Sequence, residues 1–291
     1  MGYQPFANYK EWHMTDTFGV RLQERIRSLG PLCVGVDPSR ALLESWGRSD
    51  NVDGLEFFAL SVLDATRGVA VALKPQVAFF ERFGSEGYRV LERLLTECRD
   101  ADVLVVADAK RGDFRPTNEG YAEAWLAERA PLRVDAVTAS PYVGFDALSP
   151  LFSLAHETGR GVFVLAATSN DEGRAIQTAR TSNDEPVETM VLRTVAEMNR
   201  RGEGLGSFGA VLGATRDAPS FDLATLAGPY LVPGVGAQGA TSEHVGRLFE
   251  RCPAGTVLVN VARSVLNAGP ERSALRDSAQ RWRDDLASAL A

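Results

Sequence analysis

Eight short apolar runs recur along the chain, separated by polar segments long enough to form helices. In order they cover residues 32–37, 69–74, 103–108, 134–139, 161–167, 209–215, 230–234 and 256–261. Their hydrophobicity is nearly continuous, without alternation, which is the pattern of strands covered on both faces in a parallel sheet. Between them the apolar period lengthens. Phe18, Leu22 and Ile26 fall four apart in 17–29, and Val90, Leu91, Leu94 and Leu95 share one face of 88–98. Strand followed by helix, eight times, predicts an α/β fold of the (β/α)8 TIM-barrel type, with an open doubly wound sheet as the alternative. No shift of composition divides the chain, so 1–291 reads as one domain. Residues 1–16 form an N-terminal extension without pattern, and a last amphipathic helix in 270–291 carries Leu275, Trp282, Leu286 and Leu290. The polar stretch 169–188 follows the fifth run directly, where a mobile loop would cover a site at the strand ends.

Composition narrows the partners. Lys+Arg 31 against Asp+Glu 38 leaves a net charge of −7, which argues against a nucleic-acid binder with a basic face. No run approaches the roughly 20 apolar residues of a membrane-spanning helix, and the first residues lack a signal pattern. Three widely spaced cysteines, Cys33, Cys98 and Cys252, fit reduced thiols. A soluble, cytoplasmic protein is expected. None of His13, His156 and His244 has metal-ligand spacing.

Lysine is scarce. Only Lys10, Lys74 and Lys110 occur, so 31 − 3 = 28 of the basic residues are arginine. An ammonium can give up a proton when its surroundings shift it, whereas a guanidinium stays charged. Lys74 ends the second run, and Asp108 and Lys110 end the third. In a barrel the reacting groups stand at these C-terminal strand ends. Two residues apart on extended backbone, Asp108 and Lys110 share a side, and Lys74 on the neighbouring strand lies about 4.8 Å away across the sheet. Asp113 follows Gly112, giving an array of alternating sign: Lys74, Asp108, Lys110, Asp113. With 18 aspartates and three lysines in 291 residues, Asp-x-Lys-x-x-Asp has a chance expectation of about 0.01. A structural ion-pair network at the rim is the competing reading. At the other side of the barrel, the glycine-rich turn 233–239 and Arg263 after the eighth run supply backbone N–H groups and a fork suited to phosphate.

These segments resemble the orotidine 5′-phosphate decarboxylase family in its longer bacterial form. The likeness runs through VGVDPS at 34–39, ALKPQVAFFERFG at 72–84, ADAKRGDF at 107–114, ATSN at 167–170, VPGVGAQG at 232–239 and VNVARS at 259–264. It implies a homodimeric barrel that converts orotidine 5′-monophosphate to uridine 5′-monophosphate and CO2 in pyrimidine synthesis, with no cofactor and no metal. By position it makes Lys110 the proton donor to C6, with Lys74, Asp108 and Asp113 completing the charged array. Asp113 and Thr117 would reach across the dimer interface. Asp37 would hold the ribose, Ser169 or its neighbour Thr168 the pyrimidine, and Gln238 with Arg263 the phosphate. Phe114-Arg115-Pro116 and Ala262 depart from the family pattern without removing a reacting group. Metal-dependent sugar-phosphate enzymes share the Asp-x-Lys-x-x-Asp strand end, but they need a carboxylate where Lys74 stands. A nucleotide-binding scaffold without chemistry is the non-enzymatic alternative.

Overall fold

In the computed structural model, which describes residues 17–200, 202 and 204–291, each apolar run becomes a parallel strand. The strands are β1 (Leu32–Val36), β2 (Ala72–Pro75), β3 (Leu104–Arg111), β4 (Ala136–Ala139), β5 (Gly161–Ala167), β6 (Phe208–Leu212), β7 (Tyr230–Val232) and β8 (Val257–Val261). They follow one another around a closed barrel. Closure is made by β1 against β8, with Leu32, Cys33 and Val34 opposite Val259, Asn260 and Val261. That pairing excludes the open sheet. The extension 1–16 and its His13 lie outside the described residues.

Side-chain parity divides each strand between two cores. Leu32, Val34, Val105, Val137, Val162 and Val259 face outward into the layer between barrel and helices. Cys33, Ala72, Leu104, Val106, Ala136, Phe163 and Leu258 face inward. Both faces are apolar, so the runs show no alternation. The N-terminal mouth is plugged by the helix Phe18–Leu29, whose Phe18, Leu22 and Ile26 join the inner core. Phe18 meets Phe163 edge to face at 5.9 Å between ring centroids. A Cβ at Gly161 would lie 2.3 Å from the Phe18 ring, so only glycine admits the plug. Burying a side chain as large as Phe163 stabilises the fold by roughly 1.5–3 kcal/mol, and the inward-facing residues of this lower half are apolar.

The outer helices extend the periods read from sequence. Gly84–Asp100 is longer than its apolar stripe, and Arg272–Ala289 buries Leu275 and Leu286 while Trp282 and Leu290 pack at its edge. Among the described residues no helix is long and apolar enough to cross a membrane. Segment 169–188 is more ordered locally than its polarity implies. It contains a 3-10 turn at Asp171–Gly173, a helical turn at Arg174–Gln177 and a bridge between Arg180 and Pro186. Its last residue, Glu188, lies inside the helix Val187–Asn199 and forms a buried 2.7 Å ion pair with Arg216 after β6.

Candidate active site

Toward the C-terminal end of the strands the inward positions change character. Above Cys33 stands Gly35, and then Asp37. Above Ala72 stands Lys74, above Val106 Asp108, above Ala136 Thr138, and above Leu258 Asn260. A barrel that is apolar at its plugged end becomes charged at its open end.

Asp108 is the centre. Its Oδ2 accepts from Lys74 Nζ at 2.7 Å, and its Oδ1 accepts from Lys110 Nζ at 2.6 Å and from the Thr138 hydroxyl at 3.1 Å. Gln76, with its amide nitrogen facing the same group, donates to Oδ2 at 2.6 Å and to the Asp108 carbonyl at 3.2 Å. Lys74 is 5% exposed. Burial alone would raise the Asp108 pKa, but the two ammonium groups outweigh it and hold the carboxyl well below the usual carboxylate range. Burial likewise opposes the charge on Lys74, yet the Asp108 and Asp37 carboxylates overcome it and raise that pKa above the ordinary lysine value. The neighbouring Cys33 thiol, fully buried, is pushed up to about 12. Asp37 is different. Burial raises its pKa, Asp108 adds to the rise, and Lys74, Lys110 and Arg263 offset it only in part. Its Oδ1 is buried without a hydrogen-bond partner.

Lys110 reaches Asp108 by a route other than regular extended backbone. The β3–β4 register pairs Ala107 with Val137 and then Arg111 with Ala139, so three residues of β3 bulge opposite one of β4. Within the bulge Lys110 adopts φ 46°, a left-handed conformation rare outside glycine. Asp113 and Thr117 are not brought to the array within this chain. Asp113 Oδ1 accepts from Phe114 N at 2.7 Å, and Asn118 pins the turn through Asp113 N and O and Ala147 O. Thr117 is exposed on the first turn of the helix Arg115–Leu126. Phe114, 70% exposed, and Tyr142, 79% exposed, stand on the loops beside them.

The other wall assembles around glycines. A Cβ at Gly234 would lie 3.1 Å from Gln238 Oε1 and 3.1 Å from Ser169 Cβ, so the β5 and β7 loops meet there. A Cβ at Gly236 would lie 2.2 Å from Ser264 Oγ, which ties the β7 loop to the β8 loop that carries Arg263. Gln238 and Arg263 are exposed, and their side chains make no hydrogen bond among the described residues. Thr168 is already committed: its hydroxyl donates to Asn170 Oδ1 at 2.6 Å and accepts from Gln177 Nε2 at 2.7 Å. The Ser169 hydroxyl has no partner among the described residues. His244, by contrast, serves the N-terminus of the helix Ser242–Phe249, where it and Thr241 form a capping box.

Residues 30–278 match the sequence model of the orotidine 5′-phosphate decarboxylase / HUMPS family. The chain belongs to this family. It is 48% identical to the orotidine 5′-phosphate decarboxylase of Salinispora tropica over 276 residues, which are 94% of this chain and 99% of the relative. The Streptomyces coelicolor relative of the same name shares the same identity and coverage. Among solved structures, a Streptomyces avermitilis relative at 45% identity superposes with a TM-score of 0.91, covering 97% of this chain and 99% of the other. The Leishmania donovani OMP decarboxylase, at 28% identity, superposes at 0.72 over 94% of this chain and 98% of the other. Beyond the residues that the orotidine 5′-phosphate decarboxylase likeness names, Thr138 and Gln76 also hydrogen-bond Asp108, and neither stands out in the sequence as a charge. The available signal was parity: Thr138 is the one polar residue in the run Ala136–Ala139, and it falls on the inward register with Asp108.

Proposed function

We propose that this chain decarboxylates orotidine 5′-monophosphate to uridine 5′-monophosphate and CO2. The observation that carries this reading is the half-buried carboxylate of Asp108, its side chain 13% exposed, gripped by two lysines at 2.6 and 2.7 Å. Loss of CO2 from C6 leaves an electron pair in the ring plane, where the pyrimidine carbonyls delocalise it poorly. An ammonium about 4 Å away at an effective dielectric near 20 stabilises such a charge by roughly 4 kcal/mol, or about three powers of ten in rate. The larger share comes from an array polarised before the reaction, so that nothing reorganises as charge develops. Lys110, the more exposed lysine, stabilises the pair and then delivers its proton to C6. Asp108 holds that ammonium in place through the 2.6 Å contact.

The remaining groups bind. Asp37, with a free Oδ1, accepts from the ribose hydroxyls. The uncommitted Ser169 hydroxyl, rather than that of Thr168, meets the pyrimidine. Gln238, Arg263 and backbone N–H groups hold the phosphate, and that remote grip drives closure of 169–188 and contributes to the barrier reduction. Asp113 and Thr117 act from the partner of a cytoplasmic homodimer, Asp113 meeting the Lys110 of the other protomer. Phe114 and Tyr142 supply the apolar contact surface beside them. Phe114→Asp is expected to sediment as an inactive monomer; an active monomer would refute the shared site.

The deciding experiment follows the absorbance of orotidine 5′-monophosphate with purified protein, with and without EDTA. Conversion at equal rates in both is expected. Absence of CO2 release refutes the activity, and loss of rate in EDTA refutes a cofactor-free mechanism.

A further inference from the structure

We infer that Thr138 is a positioning residue for the proton-donating lysine, an assignment that rests on the activity proposed above. The bulge in β3 turns the backbone N–H of Lys110 away from the regular ladder, and the one residue of β4 opposite the bulge is Thr138. That N–H donates to Thr138 Oγ1 at 2.9 Å. Having accepted one hydrogen, the hydroxyl directs its own to Asp108 Oδ1 at 3.1 Å. An ionised carboxylate only accepts, so the direction is fixed. The same Oδ1 accepts from Lys110 Nζ at 2.6 Å. The result is a closed ring: Lys110 main chain to Thr138, Thr138 to Asp108, Asp108 to the Lys110 side chain. Both ends of one lysine are referred to a single oxygen.

The ring answers two needs. A left-handed backbone at a residue with a Cβ is held only where the surroundings over-determine it, and here a buried acceptor does so. Thr138 is 1% exposed, so no water replaces its oxygen, and its β-branched side chain has little rotamer freedom. Its partners are Lys110 N and Asp108 Oδ1, so its loss acts through the lysine.

Thr138→Val keeps the shape and removes the ring, while Thr138→Ser keeps the hydroxyl. We expect kcat of the valine variant to fall roughly ten- to hundredfold, the scale of a misplacement of about 1 Å. KM and the affinity for uridine 5′-monophosphate should stay within about twofold, and the serine variant should recover most of the rate. The Lys110 amide should exchange with solvent faster in the valine variant than in the wild type and the serine variant. Unchanged kcat in the valine variant overturns the inference. So does a parallel loss of rate and affinity that serine does not rescue, which is the signature of a merely structural residue. If the unsubstituted protein released no CO2, the functional reading would fail by itself. The amide exchange would then judge the contact separately, and equal exchange in all three proteins would sink it.

Discussion

Asn in place of Asp108 removes one charge and almost no volume, so it isolates the electrostatics of the array. Lys74 loses the one carboxylate within ion-pair distance among the described residues, and its side chain is 6% exposed, so water does not replace the anion. Stripping one partner from such a pair costs about 3–5 kcal/mol. Lys110 adds little to that figure, because its side chain is 44% exposed and solvent screens it. At about 2–4 °C per kcal/mol for a large domain, D108N should melt roughly 6–20 °C below the wild type at neutral pH. The gap has a definite pH dependence. Asp108 has a lowered pKa, so its stabilisation is present above the ordinary value of 3.8 and is lost as pH falls through the folded pKa. The two melting curves therefore converge in acid.

A second substitution separates charge from packing. Lys74→Met replaces the stranded ammonium with an apolar chain of similar length, and a buried ion pair exchanged for apolar groups is roughly neutral in stability. The double variant K74M/D108N should therefore recover most of what D108N lost, while CO2 release stays abolished. The assay is a thermal and urea unfolding cycle on all four proteins, with turnover measured on the same preparations. Melting of D108N within about 2 °C of the wild type, or additive losses in the double variant, would refute the reasoning.

Three further outcomes follow. Lys110→Arg keeps the charge, but its fork neither fits against Asp108 nor yields a proton, so turnover should be nearly absent with the fold intact; near-normal turnover contradicts the donor role. Arg263→Ala removes an exposed side chain that makes no hydrogen bond or ion pair among the described residues, so the melting temperature should hold while KM rises steeply, and unchanged kinetics would remove Arg263 from the site. Asp37→Asn should raise KM yet stabilise the protein at neutral pH. The Asp37 pKa is raised in the fold, so the wild type has its relative stability below 3.8 and loses it as pH rises through the folded pKa; a variant that melts lower than wild type at pH 7 refutes this.

The strands were legible because residues such as Val34, Val162 and Val259 are buried against helices while Cys33, Phe163 and Leu258 fill the barrel. The same uniformity hid the parity, and with it Thr138, which lies among alanines and valine in Ala136–Ala139. Lys74, Asp108 and Lys110 were legible because charges are conspicuous at the end of apolar runs. Their geometry was not, since a left-handed Lys110 depends on the register between two strands. Glu188 read as the end of a polar loop because its partner, Arg216, is 28 residues away. Asp113 and Thr117 were named through resemblance alone. Within one chain, Asp113 faces its own turn and Thr117 faces solvent, so the role proposed for them rests on a second protomer.

The choice between the two basic residue types follows from the same geometry. Where a fixed buried cation is enough, this chain uses arginine: Arg216 against Glu188 at 2.7 Å and Arg160 against Glu128 at 2.8 Å. A planar fork that keeps its proton suits those sites. The two lysines among the described residues converge instead on one carboxylate at the open end of the barrel. If both served structure, arginine would be as good there as elsewhere, and 28 arginines in the chain show no barrier to using it. What lysine adds is a compact ammonium that fits beside a second one and, in the proposed reaction, the proton delivered to C6 from the more exposed position. In the proposed reaction the buried Lys74 holds the Asp108 carboxylate, and the more exposed Lys110 is the one placed to meet the substrate.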